Sequence, residues 1–214
     1  CLRKLYLPQG TIIELPGDPV QRVLFPLSCV VSMIVAGGDG TRIETGLIGN
    51  EGLTGIGLAE GDLQATYELI NQVEGSALSM RSSDFYNLLN EAPHLQMLTR
   101  RFARVMSIQA SFSAFANGRF DIPQRLARWL LMLQDRVGSR KELALTHDYL
   151  SIMLGVRRPS VTDALHLLEG ERLIKATRGH VVITNRLELV AFAGEAYGRP
   201  EEEYARLMKI EPPQ

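Results

Sequence analysis

Two periods run along this chain. Up to about residue 80 the apolar positions come in short runs, TIIEL, RVLFPLSCVVSMIV, TRIETGLI, ATYELINQV and SALSM. These runs are rich in β-branched residues and bounded by Gly, Pro, Asp and Asn, the pattern of strands separated by turns. GGDG at 37–40 is a hairpin signal. Several short strands at regular spacing predict a small antiparallel barrel or roll, not a parallel sheet.

Beyond residue 80 the period becomes helical. SSDFYNLLN predicts a short helix with Ser82 or Ser83 as its cap. Pro93 then opens a long one, in which Leu95, Leu98, Phe102, Val105, Gln109, Phe112 and Ala116 recur at spacings of 3 and 4. That is an a/d-like seam across three heptads, with Arg100, Arg101 and Arg104 off it. Two surfaces compete to bury so narrow a seam, the chain's own barrel and the same helix of a second copy; a homodimer is the expectation. Asn117-Gly118 reads as the end of this helix. Asp121 reads as the cap of the next, with Pro123 in its first turn. In QRLARWLLMLQDRV, Leu126, Trp129, Leu130 and Leu133 fall on one face, and Arg125, Arg128 and Asp135 are expected to point outward.

The stretch LTHDYLSIMLGVRRPSVTDALHLL, residues 145–168, carries the clearest motif. Thr146 is a plausible N-cap, and Leu145 with Leu150 fits the apolar staple that fixes a helix entry. Leu150, Met153 and Leu154 face inward, Gly155 permits a sharp bend, and Pro159 sits in the first turn of a second helix. That helix has Val161, Ala164, Leu165 and Leu168 as its apolar face, which leaves Arg157, Arg158, Ser160, Thr162, Asp163 and His166 outside. Such groups donate to phosphates or read base edges when a helix N-terminus enters the major groove, and the helix dipole adds phosphate affinity. LIKATRGHVVITN then reads as two strands around an Arg178-Gly179 turn, a wing. Thr146 and His147 on the first helix, and Arg178 and His180 on the wing, complete the candidate DNA-binding set. The competing reading, in which Arg157 and Arg158 only solvate a helical surface, leaves the wing and the local charge unexplained.

Charge divides along the chain in the same way. Residues 1–118 carry 8 Lys/Arg against 11 Asp/Glu, residues 119–190 carry 12 against 8, and residues 191–214 carry 3 against 5. A polyanionic partner therefore belongs to the middle segment. No apolar run approaches the roughly 18 residues of a spanning helix, and no secretory signal opens the sequence. The cytoplasm is the expected compartment. The sequence starts on Cys1 without an initiator methionine, so residues preceding it are expected.

The order of barrel, long helix, Asp-capped helix and winged helix resembles the Crp/Fnr superfamily of bacterial transcription regulators over nearly the whole chain. RLARWLLMLQDRVG and LTHDYLSIMLGVRRPSV resemble in particular a branch without a well-defined effector. The resemblance implies an α+β chain: a cyclic-nucleotide-binding-like antiparallel β-roll over 1–92, a dimerisation helix over 93–118, a winged helix-turn-helix over 119–190 and a tail over 191–214. It further implies a homodimer on a pseudo-palindromic duplex, with RNA polymerase as a further partner and no membrane. Arg158 matches the family's base-reading arginine and Ser160 its phosphate-binding hydroxyl. Pro159 stands where many members have an acidic reader, and Asp163 where the cyclic-AMP receptor has a second arginine, so the operator does not carry over.

In cyclic-nucleotide-binding members a Gly-Glu turn and an Arg-Ser or Arg-Thr pair hold ribose and phosphate. Here Ala65-Thr66 occupies about the place of that pair, no Gly-Glu step precedes it, and residues 43–80 contain six acids and no Lys, Arg or His. A buried phosphate needs donors to offset its desolvation, so cyclic AMP is not expected to bind. GLTGIG lacks the spacing and the surrounding unit of a dinucleotide loop and reads as a turn. Two cysteines are too few for an iron–sulfur cluster, and Cys29 reads as packed in a strand. His94, His147, His166 and His180 are scattered beyond the barrel, which argues against haem or metal. No catalytic constellation can be assembled, so no enzyme and no cofactor is predicted. The rival reading is a small-molecule-binding interaction module whose winged helix contacts protein.

Overall fold

The computed structural model describes residues 1–138 and 142–209. Seven strands form the N-terminal roll: β1 Arg3–Leu7, β2 Ile12–Glu14, β3 Arg22–Pro26, β4 Val30–Ala36, β5 Arg42–Ile48, β6 Glu68–Val73 and β7 Gly75–Arg81. They pair antiparallel in two sheets, ordered β1-β7-β3 and β2-β6-β4-β5. GGDG turns β4 into β5, with Gly37 N donating to Thr41 O at 2.7 Å and Gly40 at φ 82°. The single run RVLFPLSCVVSMIV serves both sheets. It breaks after Pro26, where Leu27 N and Ser28 N both donate to Ser76 O, at 2.9 and 3.1 Å. Gly75 is required there, because a Cβ would sit 2.5 Å from the Cys29 nitrogen and the Ser28 carbonyl. Strand β1 is not legible in the pattern; it buries only Leu7 fully.

Helix α1, Ser82–Glu91, starts one residue earlier than its expected caps. Arg81 occupies the N-cap without a side-chain bond, and Ser82 and Ser83 lie inside the first turn. Helix α2, Pro93–Arg119, runs straight through Asn117 and Gly118. What stops it is the next helix: Asp121 Oδ1 accepts from Gln124 N at 2.9 Å and opens α3, Ile122–Val137.

The a/d seam of α2 lies against this chain's own roll. Phe102, 1% exposed, packs into the roll core with Val105 and Met106, beside Val31, Met33, Ile48 and Leu53. Gln109 Oε1 accepts from Leu47 N at 2.5 Å, and its amide donates to Leu47 O at 3.4 Å. Ala116 is buried, while Leu95, Leu98 and Phe112 are half-buried. Of the seven residues expected at a dimer seam, Phe102, Val105, Gln109 and Ala116 are thus buried within this chain, while Leu95, Leu98 and Phe112 remain partly exposed. Met97, Arg100, Arg104, Ser107, Ser111 and Phe115 are among the outward positions of α2.

Helix α3 joins the roll to the C-terminal unit. Every residue from Leu126 to Leu133 is buried. Val30, Ile34 and Leu47 of the roll share one apolar cluster with this helix and with the buried residues that follow it. Arg128, expected outside, is 7% exposed and donates to Ser113 Oγ on α2 at 3.1 Å. A helix wedged between two units has no outer face along this stretch.

The C-terminal unit comprises β8 Glu142–Ala144, α4 His147–Leu154, α5 Arg158–Gly170, β9 Ile174–Thr177, β10 His180–Ile183 and α6 Arg186–Ala193. Its sheet is ordered β8-β10-β9. Helix α6 crosses residue 190, and a last helix, α7 Arg199–Leu207, returns to pack on α2. Tyr204 donates to the Glu51 carbonyl at 3.3 Å.

The tightest approach in this packing is at Gly52, where an added Cβ would lie 1.9 Å from Phe102 Cζ. Gly52→Ala is expected to lower unfolding free energy by about 1–3 kcal/mol, the usual cost of overpacking a core. Urea denaturation of the two proteins checks this.

Candidate nucleic-acid interface

The helix-turn-helix is built from local signals that agree with one another. Thr146 Oγ1 accepts from Tyr149 N at 3.2 Å and caps α4. Leu145 and Leu150 are both buried, holding the helix entry. Gly155 ends α4 in the left-handed region, φ 60° and ψ 39°, with its N–H on Ile152 O at 3.2 Å. Only two residues separate it from α5, whose Val161, Ala164, Leu165 and Leu168 are buried. Pro159 lies in the first turn, and no side chain caps the helix. An uncapped N-terminus keeps its dipole and N–H groups open to an anion.

Arg157, Arg158, Asp163 and His166 are exposed, while Ser160 and Thr162 are half-buried. Thr162 Oγ1 lies 3.1 Å from His147 Nδ1, which ties α5 to the head of α4. Arg158 meets an acid outside the set expected from sequence: its Nη1 lies 3.2 Å from Asp148 Oδ1. Both side chains are mostly exposed, and such a pair is worth only about 0–1 kcal/mol. Asp148 thus points the guanidinium without holding it. Asp148 follows the N-cap by two residues and reads, in sequence, as a first-turn acid of α4; nothing in the spacing ties it to Arg158.

The wing follows as expected, with Arg178 exposed and Gly179 at φ 80° between β9 and β10. His180 is exposed and lies 3.5 Å from Glu142 Oε1 on β8, the third strand that the sequence did not reveal. Glu169 Oε1 accepts from Ala176 N at 2.7 Å and fixes the wing to α5. Arg172, at φ 59°, is the single non-glycine in the left-handed region among the described residues, and Thr184 Oγ1 donates to its carbonyl at 2.8 Å.

The head is seated on the roll. The Gly155 bend lies on β5, where a Cβ would come 2.9 Å from Ile43 Cδ1. Arg125 of α3 donates to the Leu154 carbonyl at the end of α4. Trp129 Nε1 donates to Glu44 Oε1 at 2.7 Å, and Gln9 Nε2 donates to Ala144 O at 3.2 Å. Glu44 is enclosed at this seam, with Oε2 unpartnered. Burial pushes its carboxyl up to about 7, against the pull of Ser32, Trp129, Arg128 and Arg136.

A cavity of about 420 Å³ lies between the roll and α2. Ala65 and Thr66 are in its wall, as are Gly55 and Gly57 of GLTGIG, which leads into a 3₁₀ turn over Ile56–Glu60. Cys29 is buried, and burial pushes its thiol up.

Residues 124–192 match the model of the Crp-like helix-turn-helix domain. The match takes in α3 from its first turn, the two helices of the turn, the wing and most of α6. Over most of the chain the fold is similar to that of solved structures. FixK2 of Bradyrhizobium japonicum superposes with a TM-score of 0.77 at 16% identity, covering 91% of this chain and 98% of its own. TTHB099, a CRP-family transcriptional regulator of Thermus thermophilus, gives 0.73 at 18% identity, covering 92% and 98%. CLP of Xanthomonas campestris, a c-di-GMP-responsive global regulator, gives 0.67 at 19%, covering 85% and 93%. The chain shares the fold of these proteins. No curated protein is significantly similar to it in sequence. No helix among the described residues is long and apolar enough to cross a membrane.

Glu44 gives this seat a pH signature. A buried carboxyl whose folded value lies above its ordinary 4.5 favours the folded state while protonated, so its contribution is complete below 4.5 and lost as pH rises toward about 7. Glu44→Gln, which mimics the protonated acid, should remove that loss. The wild type is expected to fall relative to the variant by up to about 3 kcal/mol across this window, read from urea titrations at a series of pH values.

Proposed function

We propose that this protein is a sequence-specific DNA-binding transcription regulator that acts as a homodimer. One observation carries the reading. The Crp-like domain anchors α5 by its buried apolar face and turns its uncapped N-terminus outward, with Arg157, Arg158, Ser160, Asp163 and His166 around it. In this reading α5 lies in the major groove, Arg158 exchanges Asp148 for a base edge, and Ser160 contacts a phosphate. Thr146, His147 and Thr162 flank the groove edge, and Arg178 and His180 on the wing reach the adjacent backbone.

The dimer would form through the outward stripe of α2, Met97, Arg100, Arg104, Ser107, Ser111 and Phe115. Ser107 and Ser111 are small enough for two such helices to approach closely, and Phe115 is 43% exposed at the far end, in edge contact with Phe112 and Phe120. Two heads held about 34 Å apart would read half-sites one helical turn apart. Cyclic AMP is not the effector in this account, since Ala65 and Thr66 offer its phosphate no cation.

The test is selection of bound genomic fragments followed by titration of Arg158→Ala on the selected duplex. The variant should lose about 1–3 kcal/mol of specific affinity and discriminate less at one base pair per half-site. An equal loss on every sequence would make Arg158 a phosphate contact, and no duplex binding at low salt would favour a protein partner for the wing.

A further inference from the structure

The cavity beneath α2 has walls that an anion would not choose. Its floor is apolar, with Met33, Ile48, Leu69 and Met106 among the lining residues. Its ionisable groups are Glu14, Glu60 and Asp62, together with Tyr67 at the rim, and no Lys, Arg or His lines it. No ion pair joins any of these three carboxyls to a cation among the described residues. Asp62 Oδ1 is occupied by Gln64 N at 3.0 Å, but Glu14 Oε1 is buried with no hydrogen-bond partner at all. A carboxylate left unpaired in an apolar wall is costly unless something brings it a donor.

We propose that this cavity binds an amphipathic organic cation, a protonated amine on an apolar body. The ammonium would donate to Glu14, with Glu60 and Asp62 adding field at the mouth and the Tyr67 ring offering its face. The apolar body would lie against Met33, Ile48, Leu69 and Met106. A volume of about 420 Å³ suits a small molecule rather than a peptide. Burial alone holds the Glu14 carboxyl up at about 7, with no neighbouring charge pulling it down. An incoming cation supplies that missing charge, so binding should strengthen as pH rises through 7. The inference rests on the roll cavity and not on DNA reading.

The experiment is calorimetric titration of the full chain with tryptamine, with indole-3-acetate as a similar indole bearing a carboxylate, and with cyclic AMP. Tryptamine should bind at least about tenfold tighter than indole-3-acetate at pH 8, because the same three acids attract one and repel the other. Its affinity should fall several-fold by pH 6, where the amine stays charged and Glu14 does not. Glu14→Gln should erase most of the preference; should that variant fail to fold, Glu60→Gln at the rim should reduce it in the same direction. Equal binding of the two indoles, tighter binding of cyclic AMP, no tryptamine binding, or indifference to both substitutions would each overturn the proposal. No duplex is present in these titrations, so their failure leaves the DNA-binding reading standing, and failure of that reading leaves the amine site standing.

Discussion

The structure turns on α3, a helix with no solvent face along eight consecutive residues. A helix buried all round must satisfy its polar atoms within the protein, since an unpaired buried donor costs about 1–3 kcal/mol. Trp129 therefore reaches Glu44 on β5, Arg128 reaches Ser113 on α2, and Arg125 reaches the end of α4. Each of these bonds ends on a different element. One apolar cluster consequently spans the roll and the C-terminal unit, and that unit cannot tilt together with α3 without disturbing the bonds to β5 and α2.

This arrangement places the cavity and α5 at two ends of one continuous set of contacts. The cavity wall includes Ala103, Met106, Ser107 and Ala110 of α2. Further along the same helix, Gln109 and Ser113 tie it to β5 and to Arg128. From α3 the path continues through Arg125 to the C-terminus of α4, one residue before the bend that sets the direction of α5. A ligand that shifted α2 would act on groups that already have fixed partners, a physical route for biasing one position of the C-terminal unit over another.

Much of this is legible in the sequence, and the failures share a cause. The caps at Asp121 and Thr146, the Gly155 bend, the Pro-led α5 and the Arg178-Gly179 wing are local features, decided within four residues, and they lie where the sequence puts them. The seam of α2 is apolar and periodic as expected, but periodicity does not say which surface buries it; the roll takes it, with Phe102 against Gly52. Arg128 looks exposed when its helix is read as lying on one surface, whereas it lies between two. Asp148, β1 and β8 depend on partners far along the chain, to which a window of residues is blind. The acidic, cation-free character of 43–80 is visible from composition alone, whereas Glu14, which gives the cavity its unpaired carboxyl, comes from a strand outside that window.

The central claim is that the C-terminal head reads duplex sequence. Its most direct measure is the affinity of the intact protein for a selected operator and for a scrambled duplex of equal length, between about 50 and 200 mM salt. The account predicts a steep loss of affinity with salt on both duplexes and a preference for the operator of at least about a thousandfold that persists across the range. Equal affinity for the two sequences, or binding that ignores salt, would contradict it.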